Sequence, residues 1–256
     1  VVVNFNPFYL CYCNANLYSY TYPCIENVML QDINNSHASC GMPGWTYFAP
    51  SPTTTTDLEK LVNYPMSVTD DGDAIVSVWI DYDHSGSFDA AEWTQITTNS
   101  TYLVPSASVI NIPATALLGP TGMRVRTTYT GNSNGPGDGC SFFFGGETED
   151  YTVNILPAPP CVNVPVGGTL SGPAADSLGN QGVFALSGNN GDNIMWYVST
   201  DGGSTYNLIP GETNDSLIYN FTSATDPMIY AVSSSPGCTS AISDTVMTNI
   251  IVNDNA

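Results

Sequence analysis

The chain reads as all-β, and three observations carry that reading. Short runs rich in Val, Ile, Thr, Tyr and Trp recur along it, bounded by Gly, Pro, Asn and Asp clusters. No segment has an amphipathic helical period. A stiff stretch, Leu156-Pro157-Ala158-Pro159-Pro160, divides two such series. The expected organisation is a β-sandwich over 1–156, a proline-rich linker at 157–160, and a second β-sandwich over 161–256. The 256 residues suit two ordinary domains, and 42% of them are hydrophobic, enough to fill two cores.

In the first domain, Val1–Leu10 is an apolar, strand-like start. It reads as an edge strand, or as a strand that pairs with a neighbouring molecule. Residues 11–24 carry three cysteines and many tyrosines, which suits a disulfide-pinned loop or an aromatic platform for glycans. Strands are expected at 25–30, 45–49, 62–68, 74–80 and 93–97. A further strand-like stretch at 102–112 is interrupted by Pro105. Residues 113–119 have room for one helical turn. Strands at 122–129 and 146–155 close the domain, with a glycine-rich loop at 131–139 between them. In the second domain, alternating segments at 182–186, 193–198, 206–209, 216–219, 228–232 and 244–250 surround a central Trp196. Asp201-Gly202-Gly203 supplies a hairpin turn. Several short strands around a central tryptophan predict an Ig-like sandwich.

The stretch Asp81-Tyr82-Asp83-His84-Ser85-Gly86-Ser87-Phe88-Asp89-Ala90-Ala91-Glu92 has the spacing of a calcium loop. Oxygen-bearing residues stand at positions 1, 3, 5, 7 and 9, a glycine at 6 and a glutamate at 12. Calcium takes about six to eight oxygens, so alternate residues must turn theirs inward. Gly86 permits the sharp reversal. The flanks Val76–Ile80 and Trp93–Thr97 are strand-like, so the loop joins two strands and lacks the helices of a sensor. The expected ligands are Asp81, Asp83, Ser85, Ser87 (through its carbonyl as readily as its hydroxyl), Asp89 (directly or through water) and Glu92. The expected ion is Ca²⁺, bound at about 10⁻⁴–10⁻³ M as in extracellular modules.

Charge narrows the partners. Lys+Arg number 3 against Asp+Glu 23, a net charge of −20. Nothing here neutralises phosphates, so nucleic acid is excluded, and an anionic membrane surface is disfavoured. A cation is the natural counter-ion for such a surface. The two arginines, Arg124 and Arg126, lie two apart on one strand and share a face. Glu147 and Glu149 do the same on a later strand. If those strands are neighbours, the two pairs can meet as structural ion pairs. Asp150 then falls on the other face, free to reach the calcium loop or cap a turn.

Seven cysteines without CxxC spacing suggest a disulfide framework in an oxidising compartment. Cys161 and Cys238, the two in the second domain, are expected to pair. The pairing among Cys11, Cys13, Cys24, Cys40 and Cys140 stays open. No leader-like stretch and no apolar run of transmembrane length occurs, so membrane insertion is not expected. His37 and His84 are far apart in sequence, and no HExxH, GxSxG or CxxC site is present, so the chain is not expected to be an enzyme.

The first domain resembles the GEVED domain family. The residues that carry this are Gly146-Glu147-Thr148-Glu149-Asp150-Tyr151-Thr152-Val153, Val78–Asp89, Met123-Arg124-Val125-Arg126 and Ile33-Asn34-Asn35-Ser36, over roughly residues 13–155. Thr148 stands where the family has valine, and Ser85 where it has an acidic or amide residue. The second domain resembles the Ig-like modules found beside such domains, through Trp196, Ser199–Gly203 and Gly237–Ala241. The resemblance implies a module of large secreted or cell-surface bacterial proteins, adhesins and multidomain extracellular enzymes among them. It implies no catalysis by the module itself. The expected function is therefore a calcium-stabilised, non-catalytic structural or adhesive module at the cell surface, its partners surface glycans or proteins. The alternatives are the subunit of an extracellular filament, a homopolymer joined through Val1–Leu10, and the accessory binding domains of a secreted enzyme.

Overall fold

The computed structural model describes residues 12–13, 17–18, 22–36 and 44–252. The Val1–Leu10 strand expected from the sequence lies outside the described residues. The chain divides into two compact units between Ala158 and Pro159. Among the described residues no helix is long and apolar enough to cross a membrane.

The first unit is a sandwich of two sheets. Its strands are β1 (Leu17–Tyr18), β2 (Ile25–Leu30), β3 (Ile33–Ser36), β4 (Trp45–Tyr47), β5 (Asp57–Glu59), β6 (Asn63–Asp70), β7 (Ala74–Ile80), β8 (Trp93–Thr97), β9 (Ser106–Asn111), β10 (Gly119–Tyr129), β11 (Phe143–Phe144) and β12 (Thr148–Leu156). One sheet runs β3-β2-β6-β9. The other runs β4-β12-β10-β7-β8, with β5 also pairing β12. Alternation sends Val28, Leu30, Met66 and Val68 from the first sheet against Val76, Val78, Val125 and Val153 from the second. Thr101 and Val104 pair only as an isolated bridge around a turn, so the strand starts only after Pro105. Residues 113–116 make a turn and no helix. The helical turn comes instead at Ala90–Glu92, a 3₁₀ turn that closes the acidic loop.

The central strand β10 is buried on both faces from Thr121 to Thr128. Its inner face supplies Met123 and Val125 to the core. Its outer face carries Arg124 and Arg126, in register with Trp79 and Ser77 of β7. The glycine-rich segment 131–141 lies over that face. Its carbonyls meet donors that the sheet presents: Trp79 Nε1 donates to Pro136 O at 3.2 Å, and Arg124 Nη1 to Gly139 O at 2.8 Å. Arg126 Nη2 donates to Ser141 O at 2.9 Å.

The second unit is also a sandwich. Its strands are β13 (Thr169–Ser171), β14 (Ala175–Ser177), β15 (Gln181–Ser187), β16 (Asn193–Ser199), β17 (Asn207–Ile209), β18 (Ser216–Asn220), β19 (Met228–Ser234), β20 (Ala241–Ile242), β21 (Val246–Met247) and β22 (Asn249–Ile251). The sheet β13-β15-β18 faces the sheet β17-β16-β19-β20, and β14 pairs β22. Phe184, Trp196, Leu217, Phe221 and Ile229 fill the space between. Trp196 is fully buried, and its indole N–H donates to Asn214 O at 2.9 Å. Cys161 and Cys238 form a disulfide, which ties the segment ahead of β13 to the turn after β19.

Candidate metal centre

The loop between β7 and β8 gathers carboxylates. Asp81, Asp83 and Glu92 each place an oxygen within 4.8 Å of the others. Asp81 is completely buried, Glu92 nearly so, and Asp83 exposed. Backbone groups orient all three. Asp81 Oδ1 accepts from Ser85 N and Oδ2 from Gly86 N, both at 3.0 Å. Asp83 Oδ1 accepts from Ser85 N at 3.0 Å. Glu92 Oε1 accepts from Tyr82 N at 2.7 Å, and Oε2 from Asp89 N at 2.9 Å. The 3₁₀ turn over Ala90–Glu92 thus folds the glutamate back onto the start of its own loop.

The other expected ligands form the outer rim, with Ser85 and Asp89 exposed and Ser87 partly so. Ser85 Oγ lies 2.9 Å from Ser87 Oγ, which donates to Asp89 Oδ2 at 3.4 Å. The fold therefore draws Asp81, Asp83 and Glu92 into one cluster and joins Ser85, Ser87 and Asp89 to it through hydroxyl bonds.

The electrostatics follow from burial. Loss of hydration pushes the Glu92 carboxyl up to about 7, and the charges of Asp81 and Asp83 push the same way. Hydrogen bonds from Ser85 hold the Asp83 carboxyl below its usual range. Among the described residues, no basic side chain pairs with these three carboxylates. A set of oxygen donors with clustered negative charge suits a hard cation and no soft one.

One residue at this site escaped the sequence reading. The Tyr12 hydroxyl donates to Asp81 Oδ2 at 2.7 Å and accepts from Gly122 N at 3.0 Å. Its ring stacks on Phe88 of the loop, with centroids 4.4 Å apart. Only glycine fits at position 122, because a Cβ there would stand 2.2 Å from the tyrosine ring. Neighbouring Cys13 forms a disulfide with Cys140. The faint sequence signal was a lone tyrosine between two cysteines, and nothing in it named the loop as its target.

The arginine expectation needs correction. Across β10 and β12, Arg124 stands opposite Asp150 and Arg126 opposite Thr148, while Glu149 stands opposite Val125. Directly opposed residues share a face. Glu147 and Glu149 therefore point to the inner side, away from both guanidinium groups. Glu147 Oε2 accepts from Ile25 N at 2.8 Å, and Glu149 accepts from the Tyr151 hydroxyl. The ion pair forms with Asp150 instead. Arg124 Nε donates to Asp150 Oδ1 at 2.7 Å and Nη2 to Oδ2 at 2.6 Å, a fork-on-fork pair. Trp45 Nε1 completes the carboxylate at 2.7 Å. Asp150 neither reaches the acidic loop nor caps a turn. Arg126 donates to Thr148 Oγ1 and to the carbonyl of Asp138, and burial lowers its guanidinium to about 9.

Residues 75–154, which hold the loop, the arginine strand and β12, match the family described as GEVED domain. No curated protein matches the chain. Among solved structures, a β-1,2-glucanase from Parabacteroides distasonis is similar at 13% identity and a TM-score of 0.30, over 73% of this chain and 30% of that one. Titin domains A168–A170 are similar at 9% identity and a TM-score of 0.25, over 76% and 62%. The chicken CNTN1 FN1–FN3 domains are similar at 10% identity and a TM-score of 0.24, over 77% and 63%. The chain spans less than two thirds of each of these three. At such TM-scores the likenesses add nothing to the sandwiches described above.

Proposed function

We propose that this chain, whose residues 75–154 match the GEVED domain family, is a non-catalytic binding or structural module of an extracellular protein, and that its first unit is stabilised by calcium. The supporting observation is the meeting of Asp81, Asp83 and Glu92 within 4.8 Å, on a loop carried by two strands of a rigid sheet. Three carboxylates brought so close, one of them fully buried, repel one another, and a cation between them would relieve that repulsion. Asp81, Asp83 and Glu92 would hold the ion, with Ser85, Ser87 and Asp89 completing the shell. The ion would pin the β7–β8 connection and offset local charge. Strand flanks give it no helix pair to open, so its role is structural rather than sensory. The disulfides Cys13–Cys140 and Cys161–Cys238 fit an oxidising, extracellular setting.

Calorimetric titration of the chelator-stripped chain with calcium tests this reading. The expected result is one site with a Kd of about 10⁻⁴–10⁻³ M, abolished in Asp81→Asn and retained in a substitution of the exposed Asp201 of the second unit. No binding at millimolar calcium, or binding unchanged in Asp81→Asn, overturns it.

A further inference from the structure

We propose that the Cys13–Cys140 disulfide straps Tyr12 onto the acidic loop, so that Tyr12 is a positioning residue for the loop's cation and the strap's oxidation state sets the affinity. The inference rests on the calcium reading above and adds its regulation.

The strap has three attachments. Tyr12 meets the loop twice, by its hydroxyl on Asp81 and its ring on Phe88. The hydroxyl also lies 3.3 Å from Thr121 Oγ1 and receives the Gly122 N–H, so its direction is set by β10 as well as by the loop. Cys13 is held by Arg124, whose Nη2 donates to its carbonyl at 2.8 Å. The same guanidinium donates to Gly139 O beside Cys140 and lies 4.7 Å from the Phe88 ring centroid. Arg124 thus touches both arms of the disulfide and the loop's aromatic residue.

The disulfide joins residues 127 apart in sequence. While it is closed, Tyr12 has little freedom to leave Asp81. Reduction by an external dithiol places two electrons and two protons on the Cys13 and Cys140 sulfurs, and the reductant leaves as its own disulfide. The covalent tie that holds Cys13, and with it Tyr12, against Cys140 is then lost. Partners that orient a metal ligand commonly alter affinity by about 10–100-fold when removed. Linkage makes the effect reciprocal: whatever factor oxidation adds to cation affinity, the cation adds to the disulfide's resistance to reduction. Tenfold corresponds to about 30 mV for this two-electron couple. Cys140 is exposed, so a reductant can reach the bond.

Two measurements on the whole chain test the strap. In the first, calcium titrations compare the oxidised protein with Tyr12→Phe, which keeps the ring and the disulfide but loses the hydroxyl. The expected result is a Kd raised by about 10–100-fold with the far-ultraviolet spectrum and the Cys13–Cys140 bond unchanged. In the second, the protein is incubated with dithiothreitol with and without calcium, and thiols are mapped by alkylation. Calcium should slow opening of Cys13–Cys140 severalfold and leave Cys161–Cys238 unaffected, and Tyr12→Phe should lose much of that protection. Equal calcium affinity in the variant, or equal opening of Cys13–Cys140 with and without calcium, overturns the strap while the calcium site stands. A wild-type chain that binds no calcium overturns both.

Discussion

The two units close their sandwiches with different chemistry. In the first, the interior holds Arg124, Arg126, Asp150, Glu147, Glu149, Asp70 and Asp81. In the second, no Asp, Glu or Arg among the described residues is buried, and its buried polar groups are Ser and Thr. The contrast matters because buried charge and buried hydrocarbon answer to different conditions. An apolar core weakens on cooling and in denaturant but is nearly indifferent to pH and cations. A buried charge is tolerated only while its partner and protonation state are right, and losing one partner strands the other. The first unit should therefore respond to ions and pH, and the second chiefly to packing.

The largest expected effect lies in the second unit. Trp196→Ala empties the space between its sheets and removes the bond to Asn214 O. A loss of about 3–5 kcal/mol is expected, confined to the second unit's transition in calorimetry. A similar loss in the first unit's transition would break the comparison. Arg124→Met comes next. It leaves Asp150 buried with Trp45 Nε1 as its one remaining side-chain donor among the described residues, at a cost of about 3 kcal/mol. The converse double replacement, Arg124→Met with Asp150→Leu, should recover much of that loss, because no charge is stranded. If the single and double variants melt together, the buried pair is not what holds this face.

Calcium is third in size. At about a hundred times its Kd it should add roughly 2.7 kcal/mol to the first unit and nothing to the second. A melting profile in which chelator moves both transitions, or neither, contradicts this. The smallest effect concerns Asp70. Its Oδ1 accepts from Gly72 N and Ser100 Oγ, but the buried Oδ2 has no partner. Burial raises its carboxyl above the ordinary value. The folded state therefore keeps a proton that the unfolded chain has already lost, and stability falls as pH rises through the folded-state value. Asp70→Asn stays neutral and can still accept both bonds. It should stabilise the first unit by roughly 1 kcal/mol at pH 7 and by progressively less toward pH 4. An advantage independent of pH would show that the charge is not the cause.

Much of this was legible in the chain, and the part that was not has one cause. The strands flanking Asp81–Glu92, the loop's place between them and the Cys161–Cys238 bond depend on local alternation, turn residues and a count of cysteines. The spacing of oxygens over twelve residues is likewise set by backbone geometry within one loop. The arginine partners depended instead on register between β10 and β12, strands separated by a covering loop. Alternation correctly placed Arg124 with Arg126 and Glu147 with Glu149, but not which pair shared a face. A shift of one residue in pairing exchanges the faces, and the observed register selects Asp150. Tyr12 is the extreme case. It lies 69 residues from Asp81 and reaches it because Gly122 leaves room for its ring and Cys140 holds its neighbour in place. The sequence by itself determined two β units and an acidic loop with calcium spacing, because those are short-range properties. Tertiary structure alone decided which charge meets which and what lies against the loop, because register and long-range closure set both.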